Sequence, residues 1–323
     1  MGDLFAILSA TFFAFTNVFI RKGTTATSKD NGVFLSIVLT AAISGLCVLV
    51  FGFINGFPRF TTEGILWFAG AGFMTAFLGR ILQYTSIQHL GAIRASAMKR
   101  LIPFFTVILG ALLLGEQITL PLAIGMLCIF TGIAMLIVQS LRASRKEAAA
   151  TGKQETAGAI VSTDKPSLSG RIKSVFALIG TLGFFYGPAS ALAYSFGYIA
   201  RKRGLDEIAD PFFGAMAGGV TGVILFAAMA LFQEKYRYSV TQSFRTFKPW
   251  LFFGGVANSL GQIAYFCALQ ISTISRVALI TSLEVFITMF LSVWIFKTRE
   301  HLTFTVVLAC IISVIGAAVI IVG

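Results

Sequence analysis

The chain consists mainly of long apolar runs separated by short polar segments. Each run is bounded by charged residues, Gly or Pro and is about 20 residues long, the length of an α-helix that crosses a bilayer. The ten runs cover residues 3–21, 33–55, 64–88, 92–114, 119–140, 174–200, 211–232, 249–270, 276–296 and 302–322. A transmembrane β-strand would instead alternate apolar and polar residues over about ten positions. The pattern therefore predicts an all-α membrane protein with ten transmembrane helices.

Composition supports the same class. Apolar residues make up 57% of the chain and charged residues 12%, whereas soluble domains contain about 45–50% and 25%. The four cysteines all fall inside predicted spans and form no metal-ligand or redox motif, so no metal and no cofactor is implied. The net charge of +12 comes mostly from predicted loops and does not indicate nucleic-acid binding. We expect a multi-pass protein of the cell (inner) membrane, in contact with the lipid bilayer.

The two halves of the chain resemble each other in sequence. A shift of 181 or 182 residues aligns polar and small residues as well as apolar ones: Gly79 with Gly261, Gln88 with Gln270, Arg94 with Arg276 and, after a two-residue insertion, Glu116 with Glu300. Each half has five spans, so the second enters the membrane from the side opposite to the first. This inverted repeat is typical of secondary transporters. The predicted organisation is a first repeat, 1–140, a flexible polar linker, 141–173, and a second repeat, 174–323.

The distribution of basic residues predicts which side of the membrane the linker occupies. Most Lys and Arg residues lie on the linker side, and the side with both termini has few, with Arg201, Lys202 and Arg203 among them. The positive-inside rule therefore places the linker in the cytoplasm and the termini outside.

The segment that closes the first half runs GAIRASAMKRLIPFFTVILGALLLGEQITLPLAIGMLCIFTGIAMLIV. It contains Pro103 within an apolar helix, the Gly115-Glu116 turn, and Gly125 and Gly132 in the last helix. These features resemble the repeat unit of the EamA type within the drug/metabolite transporter superfamily. The resemblance implies ten helices in two inverted repeats and a transport function. Members of that family are usually drawn with both termini in the cytoplasm, which is opposite to the charge distribution and leaves the orientation open.

Charged side chains within the spans need an explanation, because each costs about 2.5–3.5 kcal/mol or more at mid-bilayer. Arg80, Lys99, Arg100 and Glu284 all lie well inside a predicted span, and other polar residues share their faces at helical spacing. We interpret these stripes as the wall of one water-accessible cavity. The predicted substrate-binding residues are Asn17, Arg80, Gln83, Tyr84, Lys99, Arg100, Tyr194, Tyr198, Asn258, Gln262, Tyr265 and Glu284.

Three cations and one acid in this set suggest an anionic ligand, because an anion would balance the excess positive charge. The Lys99-Arg100 pair is similar to the Lys-Arg pair that holds phosphate in the sugar-phosphate antiporters of the superfamily, although theirs lies in the ninth helix. The alternatives are that the basic side chains extend to the interface and that Glu284 only neutralises one of them. Glu116 and Glu300 are expected to cap the fifth and tenth helices.

These observations favour a secondary transporter that carries a small metabolite with an anionic group, with a proton or another ion as a coupling partner. An exporter of cationic or aromatic compounds that uses Glu284 is the first alternative, and a lipid flippase the second. An enzyme is disfavoured, because the chain contains no P-loop, GxSxG or HExxH motif and its buried acid lacks a second carboxylate.

Overall fold

The computed structural model describes residues 1–23, 32–79, 81–82, 100–151, 182–245, 247–296 and 304–322. These residues are helical wherever they have regular structure. The first half contains α1 (Gly2–Gly23), α2 (Val33–Asn55), α3 (Thr62–Gly72) with a π-helical continuation (Phe73–Leu78), α4 (Ile102–Leu114) and α5 (Leu120–Thr151). The second half contains α6 (Leu182–Glu207), α7 (Pro211–Phe232), α8 (Glu234–Arg245), α9 (Pro249–Ile271), α10 (Ile274–Thr281), α11 (Glu284–Phe296) and α12 (Phe304–Val322).

The predicted fold class is confirmed, because every predicted span coincides at least in part with a described helix. Four of the helices, α1, α2, α7 and α9, are long and apolar enough to cross a membrane, and so is the stretch Ile274–Ser292. Two boundaries differ from the prediction, and one additional helix is present. Helix α5 continues through residues 141–151, α6 extends to Glu207, and the short amphipathic α8 was not predicted.

Helix packing follows the inverted repeat. Helix α1 packs on α9, α10 and α11 of the second half, and α6, its counterpart, packs on α3 and α4 of the first. Three pairs of counterpart spans pack on each other: α2 on α7, α4 on α10 and α5 on α12. The first helix of each half thus packs against helices of the other half, so the two halves are interlocked.

Small residues allow α5 and α12 to approach closely. A Cβ atom added to Gly125 would overlap Ile320 and the Gly316 carbonyl, and one added to Gly132 would overlap Ser313 and the Ala309 carbonyl. Small residues at such contacts let helix backbones meet in an apolar environment, where van der Waals packing holds helices together. The fifth helices of the two halves therefore form a tight seam.

The ninth span is interrupted near its centre. Helix α10 ends at Thr281, a turn at Ser282 and Leu283 follows, and α11 begins at Glu284. A shift of 182 residues maps this turn onto Arg100 and Leu101, which form the turn before α4. A turn thus lies at equivalent places in the two halves, directly before α4 and directly before α11.

Candidate functional site

A cavity of about 90 Å³ lies where the two halves meet, large enough for a few water molecules or one small polar group. Helices of both halves form its wall: α2 and the π-helical segment from the first, and α6, α7 and α9 from the second. The lining residues are Ile37, Thr40, Thr75, Ala76, Tyr194, Tyr198, Arg201, Ala215, Gly218, Gly219, Asn258, Gln262 and Phe266.

Arg201 is the charged residue of this wall. Its side chain belongs to α6 and is only 9% exposed. Nη1 donates a hydrogen bond to Gln262 Oε1 at 2.8 Å, and Nη2 approaches Thr75 Oγ1 at 3.4 Å. Within the described part of the chain no carboxylate lies within ion-pair distance of Arg201. Its described hydrogen-bond partners are neutral, and because a guanidinium stays protonated in proteins, a positive charge lies beside the cavity.

Aromatic rings surround the guanidinium on its remaining sides. Its Cζ atom lies 5.0 Å from the ring centroid of Phe266, 5.2 Å from that of Tyr198 and 5.7 Å from that of Tyr265. Each distance is within the range of a cation–π interaction, which contributes up to about 2 kcal/mol when the pair is desolvated. The rings offset part of the cost of burying Arg201 and fix its position, but they bring no negative charge.

Hydroxyl and amide groups form another part of the cavity wall. Asn258 Nδ2 lies 3.4 Å from Thr40 Oγ1, and Thr40 Oγ1 is 3.1 Å from the buried Ser259 hydroxyl. Thr40 also donates to the carbonyl of Ser36 in the preceding turn. The cavity thus combines one cation with several neutral groups that can donate or accept hydrogen bonds.

The structure brings some of the predicted site residues together and separates others. Four of them line the cavity: Tyr194, Tyr198, Asn258 and Gln262. Tyr265 lies behind the wall, with its ring centroid 5.1 Å from that of Tyr198 and its side chain fully buried. Four others, Arg80, Gln83, Tyr84 and Lys99, lie outside the described residues.

The remaining predicted residues form a second polar cluster, apart from the cavity. Asn17 Nδ2 donates to Glu284 Oε1 at 2.6 Å and lies 3.3 Å from Thr288 Oγ1. Arg100 interacts electrostatically with Glu284. None of these four residues lines the Arg201 cavity. Asn17 and Glu284 thus lie together, whereas Asn258 and Gln262 line the cavity.

The sequence analysis missed Arg201, Thr40 and Thr75. Arg201 was assigned to a loop because the run Arg201-Lys202-Arg203 follows an apolar stretch. A usable signal was present, since Tyr194, Tyr198 and Arg201 are spaced i, i+4 and i+7 and therefore share one face if the helix continues. The helix does continue, to Glu207.

The role expected for Glu116 was wrong. Its carboxylate does not cap α5 but accepts the backbone N–H groups of Ile274 (2.6 Å) and Ser275 (3.0 Å) and the Ser275 hydroxyl (2.6 Å) at the start of α10. A turn of the first half thereby caps a helix of the second, because a carboxylate satisfies the unpaired N–H groups and the dipole of a helix N-terminus. Glu300 lies outside the described residues.

Further polar contacts join the two halves on the side of the membrane that carries the termini. Arg276 forms a two-point pair with Asp3 at 2.7 and 3.0 Å and also donates to the Ile321 carbonyl. Arg203 donates to the Leu113 carbonyl, at the end of α4. Together with the Glu116 contact, these interactions hold the two halves together on that side.

Two interlocked helical halves around a cavity that contains a buried cation characterise this multi-pass membrane protein. The profile of the EamA-like transporter family matches residues 1–138 and 181–322, which correspond to the two halves. The chain belongs to the EamA-like transporter family.

Two further similarities concern single proteins. The uncharacterized protein PA1977 of Pseudomonas aeruginosa is 27% identical over 148 residues, which are 46% of this chain and only half the length of that protein. A solved structure, described only as a crystal structure of a protein, superposes with a TM-score of 0.61 at 16% identity. The superposition covers 98% of this chain and 95% of the other, and it supports the fold alone.

Proposed function

We propose that the protein is a secondary transporter that carries a small metabolite with an anionic group, and that Arg201 binds this group. The observation that supports the proposal is a buried, positively charged guanidinium on the wall of a cavity between the halves, with no described carboxylate beside it. Binding an anion there would supply the missing charge. Arg is well suited to the role because its planar guanidinium can donate to both oxygens of a carboxylate or phosphate.

The neutral groups of the cavity would orient the rest of the substrate. Asn258 and Gln262 lie on adjacent turns of α9, and Thr40 of α2 lines the same cavity. Because α2 belongs to the first half and α9 to the second, a substrate that bridges them contacts both moving parts. Such a position allows the halves to rock around a bound substrate and open to each side in turn.

A binding screen tests the substrate class. Purified protein is heated with sodium pyruvate, benzoate, glutamate or phosphate, and with choline or tetraphenylphosphonium chloride as cationic probes. A compound that binds only the folded state raises the unfolding temperature. We expect one or more of the anions to raise it in the wild-type protein. Arg201→Gln should weaken that binding at least about tenfold, the effect of losing a charge-assisted contact.

Arg203→Gln is the matched control, because it removes the same charge only two residues further along α6. The Arg203 side chain is exposed, and its described hydrogen bond is to the Leu113 carbonyl. This variant should bind the anions like the wild-type protein. Equal binding by the Arg201→Gln variant would refute the role of Arg201. Stabilisation by the cations alone, lost on replacement of Glu284, would refute the anionic substrate and support the exporter of cationic compounds.

A further inference from the structure

The cavity between the halves extends to the surface of α7 at Gly218. This residue lines the cavity and lies between Gly214 and Gly222, one turn to either side on the same buried face. A Cβ atom added to Gly214 would lie 2.7 Å from the Phe266 ring, and one added to Gly222 would lie 3.0 Å from Ile37 Cγ2. A Cβ atom added to Gly218 would meet no described atom within 4 Å. Because Phe266 and Ile37 belong to the cavity wall, the open space in front of Gly218 is the cavity.

The backbone of α7 is held in place behind this space. A Cβ atom added to Gly72 of α3 would lie 3.0 Å from the Gly218 carbonyl oxygen and 3.2 Å from the Gly218 Cα atom. One added to Gly219 would lie 2.9 Å from the backbone nitrogen of Ala41 in α2. Helices that meet through small residues are packed at van der Waals distance. The wall at Gly218 therefore cannot move outward for a larger ligand without separating α7 from α2 and α3.

The side chains around this space are apolar, and the charge of the cavity lies elsewhere. Ile37, Ala76 and the Phe266 ring flank the space. Arg201 is the one residue of the described cavity wall that carries a formal charge. Phe266 connects the two regions, because its ring centroid also lies 5.0 Å from Arg201 Cζ. A ligand with its anionic group at Arg201 would place an apolar group before Gly218, and a second charged group would have no partner there.

We propose that Gly218 limits the size of the substrate, and that the substrate is a monoanion with a short apolar group, such as a small monocarboxylate. The inference rests on the proposed function, because Arg201 must hold the anionic group for the apolar group to reach Gly218. Each CH2 group that the cavity buries should strengthen binding about fourfold. A side chain at position 218 would occupy the same space, and one methylene group that does not fit costs tenfold or more in affinity.

The test uses sodium acetate, propionate and butyrate, which share a carboxylate and differ in the length of the apolar group. Affinity is measured from the rise of the unfolding temperature with ligand concentration. The wild-type protein should bind the longer members more tightly, by about fourfold for each CH2 group. Gly218→Leu should weaken the binding of butyrate at least about tenfold and change the binding of acetate less than about twofold. Gly218→Ala should show the same order with a smaller effect.

Succinate tests whether the substrate carries one charge. It has the same number of carbon atoms as butyrate but a second carboxylate, which would be buried without a partner. Wild-type protein should therefore bind succinate at least about tenfold more weakly than butyrate. Tighter binding of succinate would refute the monoanion, and equal binding of acetate and butyrate would refute the apolar contact.

Gly70→Leu is the matched control. A Cβ atom added to Gly70 also meets nothing within 4 Å, but Gly70 is not among the residues that line the cavity. This variant should bind each carboxylate like the wild-type protein. The unfolding temperature without ligand shows whether each variant is folded, and if Gly218→Leu is not, Gly218→Ala decides by the same comparison of acetate with butyrate.

Two further outcomes separate this inference from the proposed function. Binding that requires Arg201 but is weakened equally for acetate and butyrate, or for neither, by the Gly218 substitutions would refute the size limit alone. Carboxylate binding that persists in Arg201→Gln, or failure of every anion to bind the wild-type protein, would refute the proposed function and the size limit with it.

Discussion

Glu116 links the two halves on the side of the termini, and replacing it should release that side. Its carboxylate accepts three hydrogen bonds from Ile274 and Ser275. In Glu116→Gln one oxygen becomes an NH2 group, which cannot accept from a backbone N–H, so at least one of the three bonds is lost. The negative charge at the α10 N-terminus is lost as well.

The magnitude follows from these contacts. A hydrogen bond to a charged group contributes about 1.5–3 kcal/mol, and a charge at a helix terminus about 0.3–1 kcal/mol. The site is only partly buried, so we take the lower end, a loss of about 2 kcal/mol. If the contact exists only while this side is closed, the loss shifts the equilibrium toward the open state by about 30-fold, since 1.36 kcal/mol corresponds to a factor of ten.

Cysteine accessibility measures this shift. The four native cysteines are replaced and a single cysteine is introduced at Ala76, a small residue of the cavity wall. A membrane-impermeant maleimide is then added to the side of the termini. The labelling rate should rise on the order of tenfold or more in Glu116→Gln. Glu63→Gln removes the same charge on the same side without touching a contact between the halves, and it should label like the parent protein.

A second outcome would assign Glu116 a different role. If Glu116→Gln lowers the unfolding temperature but labels no faster than Glu63→Gln, the capping contact persists in both states. Glu116 would then be a permanent brace of α10, and the closure of this side would depend on other contacts such as Arg276 with Asp3.

Two further predictions concern the seam and the orientation. Gly132→Leu should lower the free energy of unfolding by at least about 1–3 kcal/mol, because the new side chain would overlap Ser313 and the Ala309 carbonyl. Gly70 has open space around it, so Gly70→Leu should leave the thermal unfolding temperature unchanged. Equal effects of the two substitutions would contradict the tight seam between α5 and α12. Orientation is tested by labelling single cysteines in intact cells with a membrane-impermeant maleimide. A cysteine at Gly158 in the linker should not be labelled, whereas one at Asn55, at the end of α2, should be labelled. The reverse pattern would place the linker outside the cell.

The sequence was sufficient to predict the fold because its signals are local or repetitive. A run of about 20 apolar residues can satisfy its backbone in a membrane only as a helix, and the matches between Gly79 and Gly261 or Arg94 and Arg276 indicated a repeat. Part of the cavity followed from the same local logic, since Asn258 and Gln262 are spaced one turn apart on an otherwise apolar helix.

Long-range contacts explain what could not be predicted. Arg201 resembled a loop residue because a cluster of three basic residues normally ends a membrane span. Here the cluster stays helical, and its members bond to distant groups, Lys202 to the Leu269 carbonyl and Arg203 to the Leu113 carbonyl. Glu116 likewise contacts residues more than 150 positions away. No local pattern reveals such partners.

The exchange of first helices between the halves has a consequence for how the protein is made. Helix α1 leaves the ribosome first, but its main packing partners, α9, α10 and α11, are synthesised more than 200 residues later. Its buried small residues, Ala6, Ala10 and Ala14, must therefore remain against lipid or the insertion machinery until the chain is nearly complete. Assembly of the first half cannot precede synthesis of the second, and the order of insertion differs from the order of packing.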